Sequence, residues 1–179
     1  MTAVAGRHAL GITLHTGWGA CVVVAGSARA PEIVAHRIIE VLEKPERFCF
    51  HRAAEMDLGA AQTWINRLRR KALENATRAL STLISRQTEV CALVARPGAM
   101  GELSAVLSSH PRIHSAEGCF YRDILAAACT IPVRIVPPSS LDISTVGKLA
   151  HAPWGRDQKL AALAAWSTLA PSLGRDDFN

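Results

Sequence analysis

The densest run of reactive side chains is His114-Ser-Ala-Glu-Gly-Cys-Phe-Tyr-Arg-Asp123. His114 and Glu117 are a base and an acid three residues apart, and Arg122 is suited to clamp an anion. With a helix starting at Ser115, Glu117 falls in its first turn, where a carboxylate completes a capping box and complements the helix dipole. His15 and His51 stand at a turn and at a loop-to-helix junction, each a candidate general base. His51 and Glu55 share a face only if that stretch is helical. There is no His-Glu-x-x-His and no cluster of three ligands in the sequence pattern, so no metal site and no cofactor are expected. Trp154-Gly-Arg-Asp-Gln-Lys159 supplies Asp157 as an N-cap and Lys159 as a cation within reach of a phosphate at a helix N-terminus. Walker A, Gly-x-Gly-x-x-Gly and Gly-x-Ser-x-Gly patterns are missing, which removes the ordinary nucleotide and hydrolase signatures.

The elements that must position these groups start with Leu10-Gly-Ile-Thr-Leu-His-Thr-Gly-Trp-Gly-Ala-Cys-Val-Val-Val-Ala25, which reads as strand, tight turn, strand. Its turn offers His15, Thr16, Gly17 and Trp18 as ligand-binding candidates. A third strand follows over residues 32–42, bulged near His36 and Arg37. Residues 48–55 cross toward a helix spanning Leu58 to Arg86, where Ala61, Trp64, Ile65, Leu68, Ala72 and Ala76 paint one apolar stripe. The run Arg67-Leu-Arg-Arg-Lys71 splays around the solvated side of that helix instead of forming one patch. Glu89 to Ala95 is an unbroken apolar run, as in a central parallel strand. A short helix over 100–108 is broken by Pro111, a second helix runs from Ser115 to Cys129, and a strand spans residues 131–136. A short helix over 141–150 and a last helix over 158–170, capped by Asp157, complete the chain. The order is β-β-β-α-β-α-β-α, which implies a mixed five-stranded sheet with helices on its faces.

Length and composition agree with one domain over residues 1–171 and a disordered tail over 172–179. The chain has 179 residues, 49% of them hydrophobic, enough for a real core. No run of eighteen apolar residues is present, so no membrane span is expected. Five cysteines without a Cys-x-x-Cys pair fit free thiols in a reducing cytoplasm. A net charge of +5 leans toward polyanions, but 5% aromatic residues are too few for a base-stacking platform.

The element order resembles the ribonuclease H-like fold over nearly the whole chain. Within it, Gly11 to Val24 looks like the first phosphate hairpin of the actin, heat-shock and sugar-kinase ATPases, and the two-helix step before the fifth strand looks like Holliday-junction resolvases of the same superfamily. The segments His15 to Trp18, Ala116 to Arg122 and Pro153 to Lys159 are also similar to a small bacterial family carrying these three motifs. The resemblance implies two divalent ions held by carboxylates on the first strand, the fourth strand and later helices. Here the first-strand position falls on Thr13, or on Ile12 or Leu14 one place to either side, none of them an acid; the fourth strand ends Ala95-Arg96, and the last helix reads Leu160-Ala-Ala-Leu-Ala-Ala. A hard metal ion needs oxygen anions that these positions do not supply. The expectation is therefore a non-catalytic ribonuclease H-like domain that binds a ligand, a nucleic acid or a protein partner. Two alternatives stand beside it. One is a divergent hydrolase or nuclease acting on phosphate esters through His114, Glu117, His51 and Asp157. The other is a self-associating structural protein.

Overall fold

A computed structural model describes residues 6–27, 29–148 and 154–169. The expected tail over 172–179 lies outside the described residues. Strands β1 (His8–His15), β2 (Trp18–Gly26) and β3 (Pro31–Glu40) form an antiparallel meander. Helices α1 (Cys49–Ala53) and α2 (Leu58–Ser81) lead to β4 (Thr88–Val94), which pairs parallel to β1. Helices α3 (Leu103–Leu107) and α4 (His110–Ala128) precede β5 (Val133–Val136), which pairs parallel to β4. Two short 3-10 turns, Pro138–Ser140 and Ile143–Lys148, connect toward α5 (Arg156–Leu169). The sheet order is β3-β2-β1-β4-β5. This is the ribonuclease H-like arrangement, a mixed five-stranded sheet with helices on both faces.

The two faces follow from the period-two alternation of the strands. Leu10, Ile12, Cys21, Val23, Cys91 and Leu93 point to one face and pack against the apolar stripes of α2 and α4, where Phe50, Phe120 and Tyr121 fill the space. Ala9, Val22, Val24 and Val90 point to the other and meet α5 through Ala161, Ala162 and Ala165. That second face is thin because α5 offers mainly alanine. It lies so close to β1 that a Cβ on Gly11 would come within 1.8 Å of the Ala161 carbonyl oxygen. Glycine at 11 is thus a requirement of helix-on-sheet approach.

Several boundaries differ from the sequence pattern for local reasons. α2 ends at Ser81, five residues before Arg86; the Thr82 hydroxyl bonds the Ala79 carbonyl, and Ser85 and Thr88 close a polar turn. Residues 49–53 form a helix of their own. Pro111 does not break α4; it occupies its first turn, where a missing N–H costs nothing. α4 consequently starts at His110, five residues before Ser115. Ser115 is no cap: its hydroxyl bonds the Pro111 carbonyl within the helix. Asp157 is the second residue of α5 instead of its N-cap. The segment expected as a helix over 141–150 is a 3-10 turn, and its last two residues lie outside the described ones.

Candidate functional site

A cleft of about 720 Å³ opens at the carboxyl ends of β1 and β4. Ligands of open α/β sheets gather at such strand ends. His15 and Thr16 form one wall, Arg96 and Gly98 rise from the end of β4, and His114 and Glu117 come from α4. The earlier start of α4 changes the meaning of Glu117. It lies two turns inside the helix on the buried side, 2% exposed, and no capping box exists. A buried carboxylate needs a strong partner, and Glu117 Oε1 accepts a hydrogen bond from His51 Nδ1 at 2.9 Å. The carboxylate fixes the imidazole proton on Nδ1 and leaves the Nε2 lone pair free.

His51 is presented by α1, which is too short to stand alone. It is held from three sides. The Trp64 indole N–H donates to the Cys49 carbonyl at 3.2 Å, the Tyr121 hydroxyl donates to the Arg47 carbonyl at 2.6 Å, and Phe50 meets Phe120 edge to face at 5.7 Å. Burial is the chief cause that pushes the Tyr121 phenol well above its usual range, so it stays a donor. Burial also pushes the Cys49 thiol up to about 12, with the Glu117 charge adding in the same direction. His51 thereby arrives beside His110 and His114, one helical turn apart on α4. The ring centroids are separated by 4.7 Å for His51–His114, 5.3 Å for His51–His110 and 4.5 Å for His110–His114. Glu55, the i+4 neighbour of His51, lies beyond the end of α1 and pairs with Arg52.

On the opposite side of the cleft, His15 stacks on Trp18 with centroids 4.2 Å apart and rings 5° from parallel. His15 Nε2 lies 3.0 Å from Asp157 Oδ1, at ion-pair distance but out of hydrogen-bond alignment. The Thr13 hydroxyl donates to the Asp157 carbonyl at 2.9 Å. The first-strand turn and the start of the last helix therefore meet, and the Thr13 hydroxyl anchors that meeting. Gly17 is engaged by the loop that follows β3. Its carbonyl accepts from the backbone N–H groups of Val41 and Leu42 at 2.8 and 3.0 Å, and at φ +83° its α-carbon faces Arg47 and the Leu42 carbonyl. The turn's close approach is to this chain's own loop.

Arg122 is 9% exposed and is bonded to acceptors of this chain. Its guanidinium donates to Asp123 Oδ1 at 2.6 and 2.8 Å and to the Arg96 carbonyl at 3.2 Å. The Asp123 carboxylate holds its pKa above the usual arginine value. Lys159 sits half-buried in the first turn of α5 and does not line the cleft. Of the sequence candidates, His15, Thr16, His114 and Glu117 line it directly, and Asp157 and His51 each pair with a lining residue. The sequence reading missed His110 and Arg96. The i, i+4 spacing of His110 and His114 was a usable signal, hidden by reading Pro111 as a helix breaker.

No family model matches the chain, and neither does any curated protein. Among solved structures, it is similar to RuvC of Thermus thermophilus in complex with a Holliday junction substrate, at 14% identity over 90% of this chain and 91% of that one, with a TM-score of 0.47. A second Thermus thermophilus RuvC structure is similar at 14% identity over 90% and 92% of the two chains, with a TM-score of 0.44.

Proposed function

We propose that this chain is a ribonuclease H-like domain whose cleft binds a phosphate-bearing ligand, without the carboxylate-held pair of metal ions that its fold's nucleases use. The observation that supports this reading is the cleft's lining. At the carboxyl ends of β1 and β4 it carries His15, Arg96 and His114, all able to donate to an anion. The two nearest carboxylates are each engaged by a histidine. The chain's net charge of +5 acts in the same direction at long range. The ligand class includes nucleotides and nucleic-acid strands, which share the phosphate that Arg96 would hold.

The test is fluorescence anisotropy with a labelled oligonucleotide, with inorganic phosphate and mononucleotides as competitors. Tight binding that Arg96→Glu weakens at least tenfold is the expected result. Binding unchanged in that variant removes the reading. Competition by mononucleotides at low concentration assigns a small ligand; competition only by longer strands assigns a nucleic acid.

A second reading, hydrolysis of a phosphate ester, is favoured by one observation: two histidine–carboxylate pairs border the same cleft. A carboxylate that orients an imidazole makes it a better-placed general base. Product release from a chromogenic phosphodiester, lost in Glu117→Gln, would establish it over simple binding.

A further inference from the structure

The three histidines beside the cleft have a chemistry that anion binding does not use. We propose that His51, His110 and His114 form a mononuclear site for a divalent transition metal of the zinc class, with Glu117 as the residue that positions His51.

One ring nitrogen from each histidine lies within 4.8 Å of the others. Ligands of one tetrahedral zinc at about 2.0–2.1 Å from the metal stand a little over 3 Å apart. The nitrogens must therefore close by at most roughly 1.5 Å, a small rotation for His110 and His114, whose side chains are exposed. Among the described residues, no side-chain hydrogen bond or ion pair engages His110 or His114; their ring contacts are with each other and with His51. A metal cation is held by neutral imidazoles, and these three present one ring nitrogen each toward a common point.

The second observation is the Glu117–His51 bond. Metal-bound histidines commonly donate their other ring N–H to a carboxylate, which fixes the tautomer and raises ligand basicity. Glu117 supplies that carboxylate to Nδ1 from a buried position and leaves Nε2 as the donor to a metal. The supports of α1 hold the third ligand against the two on α4. The all-nitrogen set selects borderline metals and disfavours magnesium, which demands oxygen. Three protein ligands leave a coordination position open. Because His114 also lines the cleft, that position would lie at the cleft's border.

The experiment uses the untagged full chain titrated with zinc by calorimetry and with cobalt(II) by visible absorption. Expected are one equivalent of bound metal, a tetrahedral-type cobalt spectrum that zinc abolishes, and no response to magnesium. His110→Ala, an exposed position outside the cleft lining, should weaken zinc binding at least 100-fold and leave thermal unfolding of the metal-free chain unchanged. Glu117→Gln should weaken it 10- to 100-fold while retaining one equivalent, as a positioning residue would. Failure to bind one equivalent, or binding that survives the His110→Ala and His114→Ala double variant, overturns the proposal. The site stands apart from the anion reading: Arg96→Glu should leave zinc affinity intact, and His110→Ala should leave oligonucleotide affinity intact in metal-free buffer.

Discussion

Two histidine–carboxylate pairs flank one cleft, and they are built differently. In the His51–Glu117 pair the acid is buried, at 2% exposure, and bonded at 2.9 Å with good alignment. In the His15–Asp157 pair both side chains are about one-third exposed, and the 3.0 Å approach is not aligned as a hydrogen bond. Burying a carboxylate is costly unless a partner is fixed in place. The fold meets that condition at Glu117 by clamping α1 with Trp64, Tyr121 and Phe120. At Asp157 water can solvate the acid, so its partner is free to leave. The first pair is therefore a rigid positioning device. The second is an adjustable contact on which a ligand can act, and Trp18 stacked on His15 gives it an aromatic wall.

The contrast can be broken most forcefully through the backbone. Gly11→Ala would drive a methyl group into the Ala161 carbonyl and push away the helix that carries Asp157. Overpacking costs about 1–3 kcal/mol and occasionally more; a collision with backbone belongs at or above the upper end. Denaturant unfolding should register that loss, and a change below about 1 kcal/mol would mean that α5 can shift and that the Asp157 side is looser still.

Alkaline pH should strike the Glu117 side next. Burial pushes the thiols of Cys21 and Cys49 from the usual 9.0 up to about 12. The unfolded chain gives up these protons first, so stability is complete below pH 9 and falls as pH rises toward 12. Unfolding midpoints measured across that range should decline, and Cys49→Ala should flatten the decline. A flat profile in the unmodified chain would contradict the burial of these thiols.

Removing the buried acid's charge is the sharper test of the pair itself. Glu117→Gln should cost about 1–3 kcal/mol, as expected for a buried hydrogen bond to a charged group. A double-mutant cycle with His51→Ala should recover most of it as coupling. The smallest effect is expected at the other pair. His15→Ala and Asp157→Asn should show coupling below about 1 kcal/mol, falling further with added salt. Equal coupling in the two cycles would erase the distinction drawn between them.

Much of the fold was legible in the sequence because its signals are local and periodic. The glycine-flanked turn marked β1–β2, the unbroken apolar run marked β4, and the long stripe from Ala61 marked α2. The site was legible only in part. His15, His51, His114, Glu117 and Asp157 were identifiable as reactive types. The pairing of Glu117 with His51 depended on where α4 begins, and that turned on whether Pro111 ends one helix or opens another. Arg122 illustrates the reverse difficulty. Its sequence neighbour Asp123 and the distant Arg96 carbonyl satisfy it, a competition that residue types alone do not reveal.

The two outer strands have a consequence for how the chain behaves among its own copies. An unpaired strand edge is a template for sheet-to-sheet growth. β5 limits this by brevity: it has four residues and is bounded by Pro132 and Pro137, which carry no N–H to offer. β3 has ten residues and exposes Val34 and Ile38, but its register against β2 slips between Val23 and Val24. The irregularity bends the edge, and Glu32, His36, Arg37 and Glu40 intersperse charge and polarity along it. Aggregation at high concentration would start at β3 if those charges were neutralised, so the polar residues along this edge, together with the register slip beside Val34, keep the sheet finite.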